Sequence, residues 1–261
     1  VLKDGSTGAK ENASAALNNL AVGDDARKRA VVQAGAIGPL VALLKDSPPQ
    51  VRDTAVSVLR NLMLGGDEAR KRAVFQVGAV GPLVALLKDG SMSAKESVAG
   101  ALRYLAAGDE AGRLAVFQAG AIRPLVAVLK DGSTGAKENA SAALNNLAVG
   151  DDARKRAVVQ AGAIGPLVAL LKDSPPQVRD TAVSVLRNLM LGGDEARKRA
   201  VFQVGAVGPL VALLKDGSMS AKESVAGALR YLAAGDEAGR LAVFQAGAIR
   251  PLVAVLKDGS T

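Results

Sequence analysis

The chain has 261 residues, a formal net charge of +8, 49% hydrophobic residues and only 2% aromatic ones. It contains no Cys, His or Trp, which excludes a disulfide framework, thiolate metal sites and the commonest general base and metal ligand. No apolar run approaches the roughly 18 residues of a membrane span and no signal peptide is evident, so a cytosolic-type protein is expected, its charge a mild bias toward acidic partners.

The chain opens on Val1-Leu2-Lys3, which reads as the tail of one helix, and enters a long helix carrying "SAALNNLAV" at residues 14–22. Ala13, Ala16, Leu17 and Leu20 share one face of that helix and are its expected core stripe. A short helix, "DARKRAVVQ", follows to Gln33, with Asp24 suited to cap it and Gly35 to end it. A second runs from about Gly38 to Lys45, with Pro39 in the first turn where no N–H is needed. The third and longest spans about Pro48 to Leu64; Ser47 and Gln50 have capping-box spacing, and Gly65-Gly66 closes it. No segment alternates like a strand.

This three-helix pattern recurs. "AGAIGPLVALLKD" begins at Ala34, "VGAVGPLVALLKD" at Val77 and "AGAIRPLVAVLKD" at Ala119, a period of about 42 residues. Residues 1–127 and 128–254 are identical letter for letter, and residues 255–261 begin a third copy. Natural repeats drift, so this identity implies either very recent duplication or deliberate idealisation. Three helices per 42 residues predict an all-α solenoid, with 1–261 forming a single array.

The pattern "VVQAGAIGPLVALLKD…AKENASAALNNLA" resembles the armadillo repeat over essentially the whole chain, closest to plant-type and consensus-designed members. The resemblance implies a right-handed superhelix of three-helix units whose third helices line a concave groove for an extended peptide or a partner protein. It implies that Asn19, Asn61, Asn146 and Asn188 bind ligand backbone, a primary amide offering both donors and an acceptor. Tyr104 and Tyr231 replace that asparagine in the third unit of each block. The family's tryptophan wall, four residues earlier, is replaced by Ala15, Ser57 and Gly100, then by Ala142, Ser184 and Gly227. Asn18, Arg60, Arg103, Asn145, Arg187 and Arg230 flank the ladder one residue before it. Asn12, Thr54, Ser97, Asn139, Thr181 and Ser224 flank it two turns before. The arginines argue against a strongly basic ligand, while Glu11, Asp53 and Glu96 leave the groove mixed in sign.

Other features have ordinary readings. The "RKR" runs at 27–29 and 70–72 are expected on a solvated outer face, and Phe75 and Phe117 in the core. Too few aromatics accompany the basic residues for a nucleic-acid reader. No nucleophile–base pair, metal cluster or cofactor motif occurs, so no enzyme is expected. The sequence holds five complete units flanked by a lone third helix and a first-plus-second helix pair, without the polar caps solenoid ends usually carry. Two readings of the ends stand: a window of a longer array, or head-to-tail association of molecules, in which one redundant "VLKDGST" frays. An idealised array with no ligand is the alternative to a peptide-binding scaffold.

Overall fold

A computed structural model describes residues 5–65, 67–192 and 194–258. Val1-Leu2-Lys3, Gly66 and the last residues of the terminal "VLKDGST" lie outside the described residues, and with them the expectations placed there. Among the described residues there are eighteen α-helices and no strand. The chain divides into two compact units, Val1–Asn146 and Leu147–Thr261.

The first unit holds α1 (Thr7–Ala21), α2 (Asp25–Gln33), α3 (Ile37–Asp46), α4 (Pro49–Met63), α5 (Glu68–Gln76), α6 (Val80–Asp89), α7 (Met92–Ala106), α8 (Glu110–Gln118), α9 (Ile122–Asp131) and most of α10 (Thr134–Ala148). Helices of 9, 10 and 15 residues alternate, in the short, short, long order the sequence predicts, with the ends of the second and third shifted by one residue. An aspartate starts each short helix: the carboxylates of Asp24, Asp67 and Asp109 accept the N–H of Arg27, Arg70 and Gly112. These bonds, reinforced by the neighbouring arginines, hold the three carboxyl pKa values below the ordinary range. Each short helix ends on a glycine in the left-handed region, Gly35 at φ +73° and Gly120 at φ +74°, a geometry that L side chains resist. The chain then turns sharply, and α8 and α9 meet at 79°.

Like helices stack on like. In the first unit α1, α4 and α7 pack side by side, α3, α6 and α9 form a second layer, and α3 packs on α4 as α6 does on α7. The core between them is aliphatic, with Leu40, Leu59, Leu62, Leu83, Leu102 and Leu105 all buried, each contributing about 2 kcal/mol by leaving water.

The second unit repeats the scheme with α11 (Asp152–Gln160), α12 (Ile164–Asp173), α13 (Pro176–Met190), α14 (Glu195–Gln203), α15 (Val207–Asp216), α16 (Met219–Ala233), α17 (Glu237–Gln245) and α18 (Ile249–Asp258). Its third helices, α13 and α16, lie against each other, and α12, α15 and α18 form the adjoining layer. No single helix in the described residues is long and apolar enough to cross a membrane.

Four sequence expectations need correction. Ser47 does not cap α4: Pro48 is the N-cap, without a side-chain bond, and Pro49 opens the helix, since the Pro-Pro pair fixes the extended backbone before the first turn. The hydroxyl caps are Ser6, Ser91, Ser133 and Ser218 on other third helices. In the core stripe of α1, Leu20 is 48% exposed and Ala16 is exposed, because no described residue covers that side; the identical Ala143 and Leu147 of α10 are fully buried. Phe75 and Phe117 are only half-buried, and Val74 and Val116 fill the core positions instead.

The fourth correction concerns the basic runs. Lys28, Arg70 and Lys71 are buried, not solvated. Lys28 Nζ donates to the carbonyl of Leu64 at 2.9 Å, at the end of the third helix of its own repeat, and Arg70 Nη2 pairs with Asp25 at 3.0 Å, one repeat back. A cation at the C-terminal end of α4 meets carbonyls that have no intrahelical partner. The second unit repeats both contacts, with Lys155 on Leu191 O and Arg197 on Asp152. The exposed Arg72 is neutralised by Asp109 at 2.7 Å. Arg70 and Arg72 therefore tie adjacent repeats together, while Lys28 ties the first helix of its repeat to the third.

Candidate peptide groove

The ladder residues lie on the C-terminal halves of the third helices. In the first unit Asn61 on α4 is half-buried, and its Nδ2 donates to Oδ1 of Asn18 on α1 at 3.1 Å. Asn146 on α10 donates to the backbone carbonyl of Arg103 on α7 at 3.1 Å. Each bond uses one of the two amide donors and leaves Oδ1 and the second N–H for other partners. The bond to the preceding repeat also fixes the direction of the amide. Asn19, on the outermost third helix, is exposed. Tyr104 lies between these positions, with the Arg103 guanidinium 5.8 Å from its ring centre.

The flanking hydroxyls do less. Thr54 and Ser57 donate to carbonyls four residues earlier on their own helix, at 3.0 Å each, and Ser57 Oγ also sits 3.3 Å from Ser97 Oγ. The acids on the opposite rim are partnered by the next helix start: Asp53 accepts from Ser91 Oγ at 2.5 Å and Glu96 from Ser133 Oγ at 2.6 Å. Ala15 and Asn12 are exposed on α1, whereas in α10 Asn139 is buried and accepts from Arg103 Nη1 at 3.2 Å, with Ala142 and Asn145 half-buried nearby.

Gly100 has a reason that sequence inspection misses. A Cβ there would lie 2.6 Å from Arg60 Nε and 3.0 Å from Arg60 Cδ. The arginine stem of α4 thus crosses α7 where the family's wall would stand, and only glycine leaves it room. A glycine inside a helix costs about 1 kcal/mol relative to alanine, so its presence mid-helix was the available signal.

In the second unit, Asn188 on α13 is half-buried, and Thr181 and Ser184 again bond back to their own helix. Arg187 crosses Gly227 on α16, its Nε 2.7 Å from where a Cβ would be. Ser224 is buried, and Arg230 folds over Tyr231, donating to its hydroxyl at 2.9 Å. Among the described residues no cluster of three or more potential metal-ligating side chains occurs.

The model of the Armadillo/beta-catenin-like repeat matches five segments, residues 24–64, 67–107, 109–149, 151–191 and 194–234. A search of curated protein sequences returns no match. Among solved structures, a designed armadillo repeat protein superposes with a TM-score of 0.78 at 31% identity, over 85% of this chain and 92% of its own. An engineered protein superposes with a TM-score of 0.88 at 28% identity, over all of this chain and 63% of its own. A second designed armadillo repeat protein, solved in complex with the peptide (KR)4, gives 0.78 at 29% identity, over 88% and 95% of the two chains.

Proposed function

Because the chain belongs to the armadillo repeat family, we propose that it is a non-catalytic scaffold that binds an extended peptide, or an extended segment of a partner protein, along its third helices. The observation that carries this reading is the ladder geometry: Asn61 and Asn146 are each held by one bond to the preceding repeat, with the rest of the amide free to pair with a ligand. Such pre-orientation lowers the entropy lost on binding. Third helices pack at roughly 8–10 Å, and an extended chain rises about 3.3 Å per residue. Each repeat therefore addresses two or three ligand residues through their backbone. A designed relative bound to a peptide supports the mode, and the block identity supports an idealised origin. Panning a random extended-peptide library against the 261-residue chain should yield binders that compete with one another for one groove. Failure to recover any binder would leave the ligand-free array as the better reading.

A second reading, head-to-tail association of the 261-residue chain, is favoured by one observation. Leu20 of α1 is 48% exposed where its twin Leu147 is fully buried. On α18, Ile249 and Leu256 are 56% and 75% exposed where their twins Ile122 and Leu129 on α9 are 5% and 2% exposed. The first unit also shows how such faces meet, through Ser133 on Glu96 and Asn146 on the Arg103 carbonyl. Between copies the same contacts would join Ser6 and Asn19 to Glu223 and Arg230. We predict a weight-average mass that rises with concentration in sedimentation equilibrium; a constant monomer mass from micromolar to millimolar would reject it.

A further inference from the structure

We infer that the groove selects acidic peptides, and that Arg60 and Arg187 are the residues that read their carboxylates; this rests on the peptide-binding reading above. Arg60 leaves α4, crosses Gly100 and comes to rest beside the Asn139 amide, which lies 3.5 Å from the same Cβ position. Its Nε is buried with no hydrogen-bond partner. Among the described residues no carboxylate pairs with Arg60, and none pairs with Arg187, whose Nε is likewise buried and unpartnered beside Gly227. The nearby carboxylates keep their charge but are turned toward the start of the next third helix. Asp53 and Asp180 accept from Ser91 and Ser218, and Glu96 accepts from Ser133. Arg103 is held by Asn139 Oδ1 at 3.2 Å, and the Glu138 carboxylate is 3.8 Å away and 39% exposed, a pair that a ligand carboxylate can displace.

The ladder half of the groove is therefore positive, with guanidinium groups that lack their own anions. Arg60 stands one residue before the Asn61 clamp, so a peptide whose backbone is held by Asn61 brings a side chain within its reach. Guanidinium pairs with carboxylate in a fixed two-point geometry that an ammonium cannot reproduce. The arginine stem also occupies the wall position, which removes the slot in which a long basic side chain would lie. The chemistry fits Asp or Glu at intervals of two or three residues.

The test is fluorescence anisotropy with labelled peptides of about eight residues, alternating Ser with Glu, Gln or Lys. The Glu peptide should bind at least about tenfold more tightly than the Gln peptide, with a preference that shrinks as salt is raised from about 50 to 300 mM. Arg60→Gln with Arg187→Gln should abolish that preference and leave the Gln peptide within about twofold. Gly100→Ala with Gly227→Ala, which displaces the stems without changing charge, should weaken it too; circular dichroism checks that each variant is folded. Tighter binding of the Lys peptide, or a Glu preference that survives Arg60→Gln with Arg187→Gln, would overturn the inference. Equal binding of Glu and Gln peptides would overturn the charge selection alone. No binding by any of the three would overturn it together with the groove reading.

Discussion

Lys28 is a lysine of a basic run, and yet its side chain is only 5% exposed. It satisfies the Leu64 carbonyl at 2.9 Å and stands 3.7 Å from Asp25, which also takes Arg70. Sequence alone reads "RKR" as a charged surface, because the hydropathy of a lysine does not reveal a carbonyl 36 residues away. Removing the cation leaves that carbonyl to water and removes a charge-assisted bond, while Asp25 keeps Arg70. We expect Lys28→Met with Lys155→Met to destabilise the chain by about 1–2 kcal/mol for each site, seen as a lower urea midpoint. An unchanged midpoint would mean that these bonds contribute nothing to the docking of the first helix on the third within a repeat. The same blindness hid Arg60: its approach to Gly100 depends on the neighbouring helix, and only the mid-helix glycine hinted at it.

At the scale of the helix, local chemistry was largely legible. Asp24 before an apolar-periodic run, and a glycine after Gln33, mark a short helix, and the structure gives Asp25–Gln33 with Asp24 as cap and Gly35 at φ +73°. Cap identity was harder where two prolines follow a serine: Ser47 has the right spacing to Gln50, but the extended backbone set by Pro48 moves the cap one residue on. Burial was the least legible property, since α1 and α10 have the same fifteen residues and different exposure. The stripe on a helix is written in its own sequence, whereas its coverage belongs to the neighbours. Likewise Val74 rather than Phe75 enters the core, because facing helices fill the space with aliphatic side chains.

At the scale of the molecule, the 42-residue period was legible, and five matched repeats confirm it. What the sequence did not carry is how the ladder is held. Asn18, which reads as an edge residue, accepts the Asn61 amide of the next repeat, whereas its neighbour Asn19 is exposed. The central claim is that these amides grip a ligand backbone. Its most direct test is the affinity of a panned groove peptide for the variant with Asn19, Asn61, Asn146 and Asn188 all changed to alanine, with circular dichroism to show that the helices persist. At about 1 kcal/mol per clamp, affinity should fall by about 100-fold or more. An affinity unchanged within about twofold would contradict the claim.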